Sequence, residues 1–138
     1  MTRWLGLACL ICACVVIGCG GDDNNEPLLN GVFGGMMQDS LAGSGSLTMT
    51  IIQDGENLKG TWQSRFADPT NNNQGILTGT IQQPSAPHPS ISMLLQPGNT
   101  ASCPLQVTAT LLTPVEMTGT YAAMNCSRAE TGTLDVTR

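Results

Sequence analysis

The sequence predicts an all-β protein: a single antiparallel meander barrel of about eight short strands with one disulfide bond. Three observations lead to this prediction. Apolar and polar residues alternate with a period of two in several short segments, which is typical of strands that bury one face. Clusters of Gly, Pro, Asn and Asp separate these segments, as in turns and loops. Only 11% of the residues are charged and small polar residues are common, a composition that suits a secreted β-domain rather than a disordered chain.

The beginning of the chain predicts a signal peptide. Arg3 precedes an uncharged run of fifteen residues, 4–18. A helix that spans a bilayer needs about 20 residues, whereas the apolar core of a signal peptide is shorter. We therefore assign residues 1–18 to a signal peptide, 19–30 to a polar flexible tether that starts at the cysteine, and 31–138 to the barrel domain.

The uncharged run ends in Val-Ile-Gly-Cys at residues 16–19, which resembles the lipobox of bacterial lipoproteins. The resemblance implies that Cys19 carries a thioether-linked diacylglycerol and an N-terminal acyl chain such as palmitate, which together hold the protein on a membrane. Gly20 is not the Asp associated with inner-membrane retention, so we expect the outer membrane of the cell envelope. An ordinary cleaved signal or an uncleaved anchor is the alternative interpretation.

The charge of the chain limits its partners. Ten acidic and four basic residues follow Cys19, a net charge of −6, and the basic residues form no cluster. Nucleic acid and anionic lipid head groups are therefore not expected as partners, because both require a basic surface.

Cysteine usage predicts a disulfide bond. Four of the six cysteines lie in the first 19 residues, which leaves Cys103 and Cys126 for the domain. Outside the cytoplasm such a pair forms a disulfide more often than two free thiols, which are the alternative. A bond between them would close a loop of about two dozen residues and stabilise the domain by roughly 3 kcal/mol.

Eight segments carry the strand pattern, and they follow one another with short connections. They are predicted near 31–37, 46–53, 58–66, 77–81, 91–96, 105–112, 117–123 and 132–137. Asp54-Gly55 is a strong hairpin signal, and used as a two-residue loop it places Ile51 opposite Leu58.

The second predicted hairpin has a three-residue loop at 113–115. This loop places Leu111 opposite Met117 and Ala109 opposite Gly119. The side chains of all four residues then point to the same face of the sheet.

A Gly-Thr pair recurs in four of the apolar segments. The copies are "LKGTW" at 58–62, "LTGTI" at 77–81, "MTGTY" at 117–121 and "ETGTL" at 130–134. In each copy the glycine lies between two inward positions. We infer that it permits the strong coiling of a small barrel and leaves room for a facing side chain, while the threonine faces water.

Residues 31–62 resemble the opening of avidin-type barrels. "GVF" stands where that family has Gly-x-Trp, and it is followed by Gly-Ser, a strand, Asp-Gly and "LKGTW", which is like the family's Leu-x-Gly-Thr-Tyr. Lipocalins share the Gly-x-Trp start. Phe33 replaces that Trp, and Trp62 is the only tryptophan after the signal, so biotin binding is not expected. The whole pattern also looks like that of small bacterial lipoproteins with a barrel and one disulfide.

No catalytic pattern is apparent in the sequence. The single histidine, His88, lies in a Pro-rich loop, and no nucleophile motif, phosphate-binding loop or metal-ligand spacing occurs. We therefore expect a non-enzymatic protein without a cofactor or metal.

Two functions from different classes remain. In the first, the barrel holds a small apolar ligand at its open end. The candidate lining residues are Phe33, Met49, Trp62, Met93, Met117 and Tyr121. In the second, the same side chains fill the barrel, and a structural or interaction lipoprotein contacts an envelope protein through its loops. An interior void above about 300 Å³ would favour the ligand.

Overall fold

The computed structural model describes residues 28–138, which form a closed barrel of antiparallel strands in chain order. The strands are β1 (Gly31–Asp39), β2 (Gly43–Asp54), β3 (Asn57–Phe66), β4 (Asn73–Gln82), β5 (Ser90–Pro97), β6 (Leu105–Thr113), β7 (Glu116–Ala123) and β8 (Thr131–Thr137). Because β8 pairs with β1, the sheet has no open edge. The predicted all-β class, the number of strands and their meander order are confirmed.

Alternation along each strand fills the barrel. In β2, for example, Leu47, Met49 and Ile51 are buried, whereas Thr48 and Thr50 are exposed. The buried hydrophobic side chains of all eight strands form one core cluster. An eight-stranded barrel has an interior that side chains can just fill, and this one is filled along most of its length.

The predicted register of the β2–β3 hairpin is wrong by two residues. The loop consists of Gly55 and Glu56, and Ile51 lies opposite Gly60 rather than Leu58. Gly55 has a φ of +59°, and the first position of a two-residue hairpin loop favours glycine for that reason. A shift by an even number of residues keeps each side chain on its own face, so the predicted inward set is unchanged.

The predicted pairing of β6 with β7 is confirmed, but its loop is shorter than expected. Leu111 lies opposite Met117, as predicted. Thr113 pairs with Glu116, so the loop contains only residues 114–115, and an irregularity in β6 absorbs the extra residue. A bulge of this kind accommodates one residue without changing the faces of the strand on either side.

The glycines of the Gly-Thr motifs lie where a facing residue approaches closely. A Cβ on Gly119 would lie 2.6 Å from the Cβ of Ala109 and 2.6 Å from the carbonyl oxygen of Thr108. A Cβ on Gly132 would overlap the phenol ring of Tyr121. These glycines therefore make room for a neighbouring strand or side chain, as the motif predicts.

The disulfide bond joins the two ends of the β6–β7 hairpin. Cys103 precedes β6 and Cys126 follows β7, with their Cα atoms 5.8 Å apart. The predicted pairing is thereby confirmed. At the other end of the barrel Leu29, in the segment assigned to the tether, is fully buried in the core. The assignment of residues 1–27 to a signal and tether stays a prediction, since these residues lie outside the described part.

Candidate functional site at the barrel mouth

One end of the barrel opens into a small cavity. This end, the barrel mouth, is where β1 ends and β2 begins, and the segments 40–42, 67–72, 98–104 and 124–130 surround it. The cavity beneath has a volume of about 80 Å³; we refer to it as the mouth cavity. Its apolar lining includes Met37, Leu41, Trp62, Phe66 and Leu105, and its polar lining includes Asp39, Ser64, Arg128 and Glu130.

Asp39 is the innermost carboxylate of the barrel mouth. It is the last residue of β1 and is only 6% exposed. Its Oδ1 accepts the backbone N–H groups of Leu41 and Ala42, each at 2.8 Å, and its Oδ2 accepts the hydroxyl of Tyr121 at 2.7 Å. Burial acts to raise the pKa of Asp39, but the hydrogen bonds outweigh it and hold the pKa below the ordinary value of 3.8. The structure therefore favours an ionised Asp39.

Tyr121 connects this carboxylate to the core. Its ring is packed over Gly132, and its hydroxyl donates to Asp39. Burial, followed by the hydrogen bond to Asp39, raises the pKa of Tyr121 far above its ordinary value of 10.0. The hydroxyl therefore remains protonated and acts as a donor over the whole accessible pH range.

Glu130 is the second carboxylate of the barrel mouth. It immediately precedes β8, is half-buried, and lies within hydrogen-bond reach of Asp39. Burial and then the charge of Asp39 raise the pKa of Glu130 above its ordinary value of 4.5, and nearby Arg128 offsets only part of this rise. Arg128, which also lines the mouth cavity, is the basic residue whose charge acts on Glu130.

Ser64 adds a buried hydroxyl to the same cavity. It lies on the inward face of β3 and is 3% exposed. Its side chain borders the mouth cavity. No buried side-chain nitrogen or oxygen among the described residues lacks a hydrogen-bond partner, so the Ser64 hydroxyl is not a buried group left unpaired.

The six predicted lining residues come together inside the barrel, but mainly as core. Each of them is at most 4% exposed. Trp62 borders the mouth cavity, where its indole N–H donates to the carbonyl oxygen of Gln96 at 3.4 Å. Tyr121 lies beside the cavity through its bond to Asp39, whereas the other four, Phe33, Met49, Met93 and Met117, belong to the packed interior.

Sequence reasoning missed Asp39, Ser64 and Glu130. A signal for the first two was present, because the period of two that places Phe33 and Met37 inward also places Asp39 inward. The same alternation in β3 continues from Trp62 to Ser64. Polar residues at inward positions near strand ends are therefore the pattern that would have identified this site.

Other predicted features lie apart from the mouth or outside the described residues. Cys19 precedes residue 28 and so lies outside the described part. His88 is exposed in the loop before β5. Among residues 28–138, no group of three or more His, Cys, Asp or Glu side chains is arranged to hold a metal ion. No helix in that range is both long enough and apolar enough to cross a membrane.

The fold is shared with redesigned β-barrels. No family model and no curated protein sequence matches the chain. One similar solved structure is a redesigned β-barrel, with a TM-score of 0.61 and 16% identity over 80% of this chain and 91% of that one. A second is the redesigned β-barrel mFAP0 bound to DFHBI, with a TM-score of 0.62 and 16% identity over 80% of this chain and 99% of that one. A third is EF1p2_mFAP2b bound to DFHBI, with a TM-score of 0.62 and 14% identity over 80% of this chain and 94% of that one. At such low identity, these comparisons show that the chain has the fold of a small β-barrel.

Proposed function

We propose that the chain is a non-enzymatic, lipid-anchored protein of the cell envelope whose filled barrel is an interaction domain. The lipobox-like residues 16–19 support the anchor, with Gly20 favouring the outer membrane, and the lack of a catalytic motif in the sequence supports a non-enzymatic role. The observation that carries the choice of an interaction domain is the filled interior.

The interior has little space for a large apolar ligand. Pockets for drug-sized molecules occupy about 300–1,000 Å³, whereas the mouth cavity measures about 80 Å³. The six residues predicted to line a pocket are almost completely buried against one another and their neighbours. Binding of a large apolar ligand would therefore require the core to be unpacked.

The outer wall of the barrel offers a surface for a partner. Val32, Met36, Ile52 and Ile76 on β1, β2 and β4 are each at least half exposed. All four lie on the wall formed by β1 to β4, and exposed apolar surface is a common feature of sites of protein contact. Val32 on β1 and Ile76 on β4 lie in one cross-strand row. Thr50 on β2 and Thr61 on β3 lie between them in that row.

The anchor is tested by the mass of the protein extracted from membranes. We expect a mature N-terminus at Cys19 that carries at least two acyl chains. Cys19→Ser should release the protein from the membrane or block its processing, whereas Cys14→Ser, which lies outside the lipobox, should change neither. A Cys19→Ser protein with a normal mature mass and full membrane association would refute the anchor.

The interaction surface is tested by photo-crosslinking in intact cells. A photo-reactive residue in place of Ile76 should form a discrete adduct with an envelope protein. The same residue in place of Thr108, which is exposed on β6 on the far wall, serves as the matched control. Identical adducts at both positions, or none at Ile76, would contradict a partner on this wall.

A second candidate function is the binding of a small ligand at the barrel mouth. The observation in its favour is the mouth cavity itself, whose lining combines the polar side chains of Asp39, Ser64 and Glu130 with apolar ones. Two solved structures with this fold, the redesigned β-barrel mFAP0 and EF1p2_mFAP2b, are bound to DFHBI, so the fold is compatible with a small ligand. The size of the cavity restricts this function to a molecule of a few non-hydrogen atoms.

A further inference from the structure

We propose that the end of the barrel opposite the mouth lies against the lipid bilayer, so that the mouth cavity faces away from the membrane. This end, the barrel base, is where β1 begins, and the segments 55–56, 83–89 and 114–115 surround it. The inference rests on the lipid anchor of the proposed function. It adds the surface of the barrel that contacts the bilayer.

The chain enters the barrel at its base and is held there by packing and hydrogen bonds. Leu29 is fully buried and belongs to the core cluster. Its backbone N–H donates to Oε1 of Gln53 at 3.1 Å, and the carbonyl oxygen of Asn30 accepts Nη1 of Arg138 at 2.8 Å. A lipid attached to a residue before Leu28 would therefore restrain the base and not the mouth.

The linking segment between the predicted anchor and the barrel is short compared with the barrel. It consists of the eight residues 20–27, between Cys19 and Leu28. A chain of this length without secondary structure has an average end-to-end distance of roughly 16 Å. β6 has nine residues, and a rise of about 3.3 Å per residue with a tilt of about 40° makes the barrel wall roughly 23 Å tall. Only an almost fully extended segment, about 30 Å long, would let the mouth reach the bilayer.

The β6–β7 turn lies beside the point where the chain enters. The backbone N–H of Arg138 donates to the carbonyl oxygen of Val115 at 2.8 Å, and the guanidinium of the same residue donates to Asn30. Arg138 thus connects the turn to the residue that precedes β1. A short linking segment that brings Asn30 towards the bilayer therefore brings Val115 with it.

Two of the three base turns expose an uncharged surface. Leu112 and Val115 are 38% and 44% exposed, and the segment 112–115 contains no acidic or basic residue. The segment 83–89 contains no Asp, Glu, Lys or Arg. Taking a charge out of water costs free energy, whereas apolar side chains gain when they leave water. These two turns are therefore suited to contact with the bilayer interface.

The third base turn is acidic, which predicts a tilt of the barrel. Asp54 and Glu56 are exposed at the β2–β3 turn. In the closed barrel this turn lies four strands away from the β6–β7 turn, on the opposite side of the base. We therefore expect the side of Val115 to lie closer to the bilayer than the side of Glu56.

The test compares how close exposed sites at the two ends lie to the bilayer. A nitroxide on Val115→Cys marks the base, and a nitroxide on Leu41→Cys, at a residue 53% exposed at the mouth, is the matched control. Cys103 and Cys126 are bonded to each other, so within the domain only the introduced cysteine reacts. The lipidated protein, extracted from membranes, is incorporated into phosphatidylcholine vesicles with or without a nickel-chelating lipid, because Ni²⁺ accelerates the relaxation of a nearby nitroxide. We expect a several-fold larger acceleration at position 115 than at position 41.

Flotation of the same vesicles separates the anchor from the orientation. Protein that does not float with the vesicles would overturn both. Protein that floats but relaxes equally at positions 115 and 41, or faster at 41, would overturn the orientation and leave the anchor standing. A nitroxide on Glu56→Cys should relax more slowly than one on Val115→Cys, and the reverse order would overturn the tilt.

A longer linking segment tests whether its length sets the orientation. An insertion of about 20 Gly and Ser residues after Asn25 raises the average reach to roughly 29 Å, more than the height of the barrel wall. The difference in relaxation between positions 115 and 41 should then fall by at least about twofold, because the mouth and the base can both approach the bilayer. An unchanged difference would overturn the short linking segment as the cause of the orientation.

Discussion

The hydroxyl of Tyr121 donates a 2.7 Å hydrogen bond to Oδ2 of Asp39, and 82 residues separate the two along the chain. The two residues lie on β7 and β1, which are not neighbours in the sheet because β8 lies between them. Their contact exists because Gly132 on β8 leaves room for the Tyr121 ring. The hydrogen bond thus connects β7 to β1 across β8 at the barrel mouth.

Tyr121→Phe should destabilise the barrel by roughly 1.5–3 kcal/mol at pH 7, because it removes a hydrogen bond to a buried charged group. Asp39 has a folded-state pKa below its ordinary 3.8, so its contribution is present above pH 3.8 and is lost as the pH falls through the folded pKa. The cost of the substitution should therefore shrink at low pH. Chemical denaturation at pH 7 and at pH 3 measures how much the substitution lowers the free energy of unfolding at each pH. An equal loss at the two pH values would contradict a hydrogen bond from Tyr121 to an ionised Asp39.

Glu130→Gln should stabilise the protein at neutral pH. The pKa of Glu130 is raised above 4.5 in the folded state, so the ionised side chain destabilises the fold as the pH rises through that range. The gain at pH 7 should stay below about 1 kcal/mol, because solvent at the mouth screens the carboxylates. It should vanish at pH 3, where Glu130 is protonated in both states. Urea denaturation at the two pH values provides the measurement, with Glu56→Gln as the control. A Glu130→Gln variant that is less stable than the parent protein at pH 7 would rule out a destabilising repulsion between Glu130 and Asp39.

Gly119→Val should destabilise the barrel by about 1–3 kcal/mol, the usual cost of overpacking. The new side chain would meet the Cβ of Ala109 and the carbonyl oxygen of Thr108, each at 2.6 Å from its Cβ position. Thr120→Ser, on the exposed face of the same motif, should change little. Thermal unfolding followed by circular dichroism compares the two variants. A neutral Gly119→Val would mean that this glycine does not face inward.

Trp62→Ala should destabilise the protein by roughly 3–5 kcal/mol, because it leaves a cavity in a filled core. Trp62 is only 3% exposed, whereas Ile76, on the neighbouring strand, is 57% exposed. Ile76→Ala should therefore fall within about 0.5 kcal/mol of the parent protein. Denaturant titration separates the two variants. Similar small effects of the two substitutions would contradict the assignment of Trp62 to the packed core.

Replacing both Cys103 and Cys126 by serine should lower the free energy of unfolding by about 3 kcal/mol, because the bond closes a loop across a sequence separation of 23. Reductant should destabilise the parent protein to the level of the double variant and leave the double variant unchanged. Non-reducing peptide mapping identifies the linked pair. A parent protein whose stability is insensitive to reductant would contradict a stabilising bond.

The sequence by itself determined the strand order and the face to which each residue of a strand points. Alternation is a local property, since successive side chains leave a strand on opposite sides. Even the incorrect register of the β2–β3 hairpin left its inward residues inward, because the error was two residues. The pairing of Cys103 with Cys126 also followed from the sequence, since only these two cysteines lie in the domain.

Only the tertiary structure decided how much space the barrel encloses and which polar groups meet at its mouth. The volume of the mouth cavity depends on the simultaneous packing of side chains from many strands, so no local pattern reports it. The meeting of Asp39, Tyr121 and Glu130 depends on barrel closure, which pairs the last strand, β8, with the first strand, β1. Alternation places Asp39 and Tyr121 inside, but only closure brings them and Glu130 to the same end of the barrel.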